Sequence, residues 1–277
     1  MGRLSARAVP VDKALRMVTL YETRYTGWPV KYFHERWQTE HGGTRSYSWT
    51  KKTLQAAGHV TRATRRGAHR KKRPRKPLPG LMLHPDGSTH AWVPDCQWDL
   101  IVTLDDAPTE IYSAFFVEEE GTLSRLRGLQ AGMETQGLFS SLYTDRGSHD
   151  WHTDEAGGQV DKIRLTQGHR ALQQLGVTLI PAYSPEARGR SERAFRTLQD
   201  RLPKELALAG ITEMAAANQY VATRFLPAYN QRFAVPAPEA GTAFIPWIGT
   251  HLAEILCVHD ERVVAKDNTV RYQDLSL

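Results

Sequence analysis

Apolar positions near the start of the chain recur at helical spacing. Leu15, Val18, Leu20 and Tyr21 form one set, and Val30, Phe33 and Trp37 a second, each fitting one face of a 3.6-residue period. Gly27 and Pro29 separate the two sets and predict a break between two helices. The next segment, SYSWTKKTLQAAGHV, opens on serines able to cap a helix and reaches Gly58, a residue suited to ending one. Three short helices with a turn before the last predict a small helix-turn-helix-like domain over residues 1–61. Its last helix would carry Lys51 and Lys52 towards a phosphate backbone. A helical bundle with no ligand is the competing reading.

The periodicity then stops. RATRRGAHRKKRPRKPLPG, residues 62–80, is crowded with Arg and Lys, contains three prolines and has hardly any large apolar side chain. Such a stretch cannot bury a core, which predicts an extended basic linker. Arg70, Lys71, Lys72 and Arg73 are its densest part. Each would follow a polyanion by releasing counterions.

Beyond the linker the period shortens to that of strands. WDLIVTLDD (98–106) and EIYSAFFVEEE (110–120) are rich in β-branched and aromatic residues, and the short APT between them predicts an antiparallel hairpin. GTLSRLRGLQAGMETQG reads as a helix with Leu123, Leu126 and Leu129 on one side. LFSSLYTD (138–145) reads as a strand ending in Asp145, followed by helix, strand and helix. The order β-β-α-β-α-β-α predicts an α/β domain over residues 81–235, a mixed sheet covered by helices. ITEMAAANQYVATRFLPAYNQRF adds an amphipathic helix. Residues 236–277 comprise a Pro-rich connection and a partial β-module.

Composition narrows the partners. The 277 residues carry a formal net charge of +6, with a pI of about 9.3, which favours a polyanion. Cys96 and Cys257 are far apart and fit neither a zinc site nor a disulfide framework, pointing to a reducing compartment. No stretch of eighteen apolar residues occurs and the N-terminal segment lacks the apolar core of a signal peptide. A cytoplasmic protein with no membrane partner is expected.

The candidate chemistry lies in three acids at the ends of elements. Asp86 stands in LMLHPDGSTHAW where the chain enters the sheet, Asp145 in LYTDRGS, and Glu192 in ARGRSERAFR. Carboxylates from separate segments suit a hard divalent cation, since Mg²⁺ takes oxygen ligands and needs only one or two carboxylates besides water and phosphate. Two such ions can serve displacement at phosphorus. Arg188, Arg190 and Arg196 surround Glu192 and suit phosphate contacts. Arg188, Glu192, Arg196 and Gln199 share a helical face, which is equally the pattern of an exposed ion-pair ladder. Asp105 and Asp106 rival Asp86, and a PDG turn is the plain alternative for Asp86 itself. The cluster His149, Asp150, His152, Asp154 and Glu155 has irregular spacing beside Gly157 and Gly158, and reads as a solvated loop.

Together, DGSTHAW, LIVTLDDAPTEIYSAFFVEEEGT, LYTDRGS and YSPEARGRSERAFRTLQDRLPKEL resemble the DDE-type transposases of bacterial insertion sequences, of the ISNCY-like kind, over roughly residues 80–235. These carry the ribonuclease-H-like core shared with retroviral integrases. The resemblance implies a ribonuclease-H-like mixed sheet with flanking helices and an Asp-Asp-Glu triad at Asp86, Asp145 and Glu192, each both catalytic and metal-binding. It implies Mg²⁺ as cofactor, with Mn²⁺ as substitute, for nicking transposon ends and joining their 3′-hydroxyls to target DNA. The implied partners are those two DNAs and further copies of the chain, in a dimer or higher assembly on the bacterial nucleoid. Arg188 stands where the family usually has lysine. Family members usually run longer at both ends, so an inactive DNA-binding remnant or regulator is the alternative expectation.

Overall fold

The computed structural model describes residues 10–62, 73–152, 159–161, 163–183, 188–272 and 275–276. The chain divides into two compact units. One comprises Met1–Lys71 with Thr197–Glu205, the other Lys72–Arg196 with Leu206–Leu277.

The first unit contains α1 (Val11–Arg24), α2 (Val30–Glu40) and α3 (Tyr47–Ala56). Gly27, at a φ of 74°, makes the turn between the first two, a left-handed conformation that glycine adopts without strain. The helices enclose Met17, Tyr21, Tyr25, Trp28, Tyr32, Phe33 and Leu54. Ser46 caps α3 by accepting the Trp49 N–H at 3.3 Å. His34 Nδ1 meets Thr50 Oγ1 at 2.9 Å, a buried polar tie between α2 and α3. Lys52 on α3 is exposed and Lys51 half-buried.

The second unit is built on β1 (Leu83–Val93), β2 (Cys96–Asp105), β3 (Ile111–Val117), β4 (Ser141–Thr144) and β5 (Thr178–Pro181), in the order β3-β2-β1-β4-β5. β1, β2 and β3 are antiparallel neighbours, while β4 runs parallel to β1 and β5 parallel to β4. This is the ribonuclease-H-like arrangement. Trp98–Asp105 of β2 is buried throughout, as expected of a strand covered on both faces, and its continuous apolar run is plain in the sequence. β1 is not. Its middle, PDGST, is only partly buried and looks like a turn. The strand is held by its register with β2, including Asp86↔Val102 and Gly87↔Ile101. Asp86 therefore lies within a strand, neither in a PDG turn nor ahead of the sheet.

Helix α4 (Thr122–Gln136) buries Arg125, Leu126, Gly128, Leu129, Gly132 and Met133. Leu123, expected on that face, is 64% exposed, and the place one turn before Leu129 goes to Arg125. α4 and α5 (Gln167–Gln174) supply the core beneath Leu83 and Leu142. Helix α6 (Gly189–Leu208) follows β5.

The amphipathic stretch after α6 forms α7 (Met214–Tyr220), a π-helical turn (Val221–Phe225) and α8 (Leu226–Phe233). The Pro-rich connection returns to the sheet. Leu138 and Ile245 exchange backbone hydrogen bonds of 2.7 and 2.9 Å, and Phe244 packs edge-on against Tyr112 at 5.5 Å. Short α9 (Leu252–Ile255) follows, then β6 (Arg271–Tyr272) and β7 (Leu275–Ser276), an exposed two-stranded ribbon. Among the described residues no helix is long and apolar enough to cross a membrane.

Candidate active site

Asp86, from the middle of β1, and Asp145, directly after β4, meet at a single guanidinium. Arg188 Nη1 lies 2.9 Å from Asp145 Oδ2, and Arg188 Nη2 pairs closely with Asp86 Oδ2. The inner oxygens have local partners. Asp86 Oδ1 accepts the Gly87 N–H and Asp145 Oδ1 the Gly147 N–H, both at 3.1 Å. The hydroxyl of Thr144, a fully buried residue, accepts the Trp151 indole N–H at 3.0 Å. That bond folds the loop after Asp145 back on the strand end. Each acid thus has one oxygen fixed by its own backbone and one aimed outward at a cation.

The two acids respond differently. Burial raises the Asp86 carboxyl above its ordinary range, outweighing the charge of Arg188. Burial also opposes ionisation of Asp145, but Arg188 and the Gly147 N–H outweigh it and hold that carboxyl low. Arg188 is itself kept firmly protonated, because the two carboxylates overcome the cost of burying it.

A second cation supports the pair from inside. Arg125 pairs through Nη1 with Glu120 Oε1 at 3.0 Å and through Nη2 with Asp150 Oδ2, and its side chain is 8% exposed. Its charge also favours ionisation of Asp86 and Asp145. Glu120 presses its carboxylate against Gly87, where any side chain would collide with it. Sequence reasoning placed Asp150 in a solvated loop and passed over Arg125 and Glu120. The available signal was spacing, since Arg125 falls one helical turn before Leu129 on the buried face.

Asp105 and Asp106, the rivals of Asp86, are both fully buried and have their oxygens occupied. Asp105 accepts the Gly80 and Ala107 N–H groups at 2.7 and 2.8 Å and the Tyr112 hydroxyl at 3.1 Å. Burial, only partly offset by these donors, pushes its carboxyl up to about 6. Asp106 Oδ1 takes His84 Nε2 at 2.9 Å together with Arg73 and Arg190, while Oδ2 accepts the Lys76 N–H at 2.8 Å. Burial opposes its ionisation, yet His84, the Lys76 N–H and Arg190 hold its carboxyl well below the usual range. This pair anchors the chain around it.

The remaining expected site residues fall into three groups. Arg188 and Arg190, read as phosphate contacts, are engaged internally. Arg188 holds the two acids, and Arg190 gives Nη1 to Asp106 and Nη2 to the Arg73 carbonyl at 2.7 Å. Arg73 is likewise tied to Asp106 and stacks over Tyr143 at 5.6 Å. The physical reason is the same for all three. Each touches a largely buried carboxylate, Asp86 or Asp106, which is costly to leave without a counter-ion. Arg196 stays exposed, and Arg70, Lys71 and Lys72 lie outside the described residues. Glu192, on the first turn of α6, is exposed. Among the described residues no group of three or more His, Cys, Asp or Glu is arranged to hold a metal ion. Asp86 and Asp145 converge on Arg188.

Asp86 and Asp145 nonetheless fit a divalent cation by the chemistry of their donors. They are two hard carboxylate oxygens already directed at one positive group, with phosphate and water able to complete the shell.

No protein-family model matches the chain. It is 32% identical over 222 residues to a protein carrying the transposase designation y4bF in Sinorhizobium fredii, a match covering 77% of this chain and 47% of that protein. It is 30% identical over 161 residues to the transposase for insertion sequence IS1202 of Streptococcus pneumoniae, covering 58% of this chain and 34% of that one. The chain thus spans less than half the length of these relatives. A chain of the simian T-cell lymphotropic virus intasome in complex with PP2A regulatory subunit B56 gamma aligns at a TM-score of 0.45 and 17% identity, over 81% of this chain and 78% of that one.

Proposed function

We propose, with its kinship to insertion-sequence transposases as premise, that this chain is a DNA strand-transferase. Asp86 and Asp145 hold a divalent ion, Mg²⁺ with Mn²⁺ as substitute, and Glu192 joins them as third ligand when DNA is bound. The observation that carries this reading is the single Arg188 guanidinium shared by Asp86 and Asp145. Two segments deliver their acids to one cation, Asp86 from within β1 and Asp145 from just past the carboxyl end of β4.

The ion supplies Lewis-acid chemistry, activating an attacking oxygen and stabilising the leaving one at phosphorus. The chain supplies placement. The backbone N–H groups of Gly87 and Gly147 fix one oxygen of each acid. Arg125 offsets the charge of the converging carboxylates, and exposed Arg196 and Lys52, with Lys51, take DNA phosphates. The DNA is a transposon end and its target, the working form is a dimer or larger assembly, and the setting is the bacterial cytoplasm.

A second reading, a DNA-binding protein without strand transfer, is favoured by the exposed place of Glu192 on the first turn of α6. One assay separates them. The purified chain is incubated with end DNA of its own element in Mg²⁺ or Mn²⁺. Cleaved or joined strands, lost in Asp145→Asn and Glu192→Gln with DNA retention intact, support the strand-transferase. Binding with no cut strand in either metal overturns it in favour of the second reading.

A further inference from the structure

We infer that Arg188 is an exchangeable cation that couples metal binding to DNA binding. It holds the outward oxygens of Asp86 and Asp145 until a divalent ion takes them, and then transfers its guanidinium to a phosphate. The inference rests on the reading of Asp86 and Asp145 as metal ligands, and adds to it an order of events and a linkage.

The atoms leave little choice. Each acid has its Oδ1 bonded to a backbone N–H and its Oδ2 on Arg188. An incoming cation that uses both carboxylates competes with Arg188 for the outward Oδ2 atoms. Once that cation is bound, the guanidinium beside it is a like charge and is repelled. The other nearby cation cannot serve as the exchanging group. Arg125 is almost fully buried and committed to Glu120 and Asp150, and removing it would leave two acids unpaired. Arg188 is less enclosed than Arg125, with a side chain 18% exposed against 8%, and its partner Asp145 has a side chain 46% exposed. It also directly precedes α6, and its carbonyl is held by the Ser191 hydroxyl at 2.9 Å, so its backbone stays placed while the side chain moves.

A planar guanidinium fork suits phosphate as well as it suits carboxylate. A DNA strand at the site therefore offers Arg188 a second partner and lowers the cost of its release. Metal then binds more tightly when DNA is present, and by linkage DNA binds more tightly when metal is present, each by the same factor. Without DNA, Arg188 keeps the site closed to metal and silent.

The test measures Mn²⁺ binding by calorimetry on the full chain, alone and with a short duplex oligonucleotide. Metal taken up by DNA is subtracted with Asp145→Asn. Wild type is expected to bind Mn²⁺ more tightly with the duplex, by a factor in the usual range for coupled sites, about 5 to 150. Arg188→Gln is expected to bind Mn²⁺ several-fold more tightly than wild type without DNA, and to lose the effect of the duplex. Arg188→Lys, a cation without the fork, is expected to fall between. Circular dichroism melting confirms that each variant is folded, and the Lys variant carries the test if the Gln variant is not. Equal or weaker Mn²⁺ binding by the folded variants, relative to wild type without DNA, overturns the exchange and makes Arg188 a prop for the two acids. No Mn²⁺ binding by any form overturns the metal-centre reading itself.

Discussion

Asn218 pairs with Phe116 as a neighbouring strand would: its Oδ1 accepts the Phe116 N–H at 2.6 Å and its Nδ2 donates to the Phe116 carbonyl at 3.0 Å. Asn230 repeats the arrangement at Ile111, with bonds of 3.0 and 2.8 Å. β3 is an edge strand whose free backbone would otherwise invite another chain. The helical segment α7–α8 supplies two side-chain amides in place of a strand. Twelve positions separate the asparagines, which at 3.6 residues per turn sets them about 120° apart. The π turn between them, Val221–Phe225, accommodates one extra residue. Twelve positions then turn as eleven would, and both amides face β3.

Asn218→Ala and Asn230→Ala each leave a strand N–H and carbonyl without their partners. Each is expected to cost about 1–3 kcal/mol, read by urea denaturation. The double variant is expected to aggregate by light scattering below its melting temperature. Deleting exposed Thr223 relaxes the π turn to an α turn and keeps both amides in phase, so it is expected to cost less than either substitution. A deletion cost above that of Asn218→Ala would remove the phasing argument.

Asp106 is the common partner of His84, Arg73 and Arg190. Asp106→Ala leaves two guanidiniums and an imidazole around an empty place. A loss of about 3–5 kcal/mol is expected from orphaning a buried ionic network. Denaturant midpoints measure it, and a change below 1 kcal/mol would show that the network is not structural.

The same turn makes a pH prediction. Asp105 rises from an ordinary value near 4 to about 6 in the fold, so between those values the folded chain holds a proton that the unfolded chain releases. Stability from this group is full below pH 4 and is lost as pH rises to 6, by about 3 kcal/mol. Asp106 acts with the opposite sign, contributing above pH 4 and failing as acid protonates it. The Asp105 contribution is therefore expected to fall from pH 4 to 6. Asp105→Asn flattens that limb while lowering stability throughout. An unchanged slope in the variant would locate the titration elsewhere.

The basic residues read as phosphate contacts divide by engagement. Arg196 and Lys52 are exposed, whereas Arg190 is committed to Asp106 and the Arg73 carbonyl. Alanine at 196 or 52 is expected to reduce the slope of log affinity for DNA against log salt by about 1 and to leave stability within about 0.5 kcal/mol. Arg190→Ala is expected to do the reverse, lowering stability with the slope intact. A reduced slope for Arg190→Ala would restore it as a phosphate contact.

The sequence by itself determined the elements whose pattern is local. The continuous apolar run of β2, the hairpin to β3, the helices α1 to α3 and the strand leading to Asp145 all declare themselves through periodicity and turn residues, because each needs only its own neighbours to form. The quoted motifs likewise pointed to Asp86 and Asp145. What only the tertiary structure decided is which charges meet. β1 exists because β2 holds it in register, despite PDGST at its centre. Arg188 and Arg190 are two positions apart yet serve different acids, and Arg125 reaches Asp150 across 25 positions. Ion pairing in a low-dielectric interior depends on distance and burial in space, neither of which a one-dimensional pattern carries. For that reason Arg188 and Arg190, which read as phosphate contacts, are in the fold the counter-ions of carboxylates, while Arg196 stays exposed.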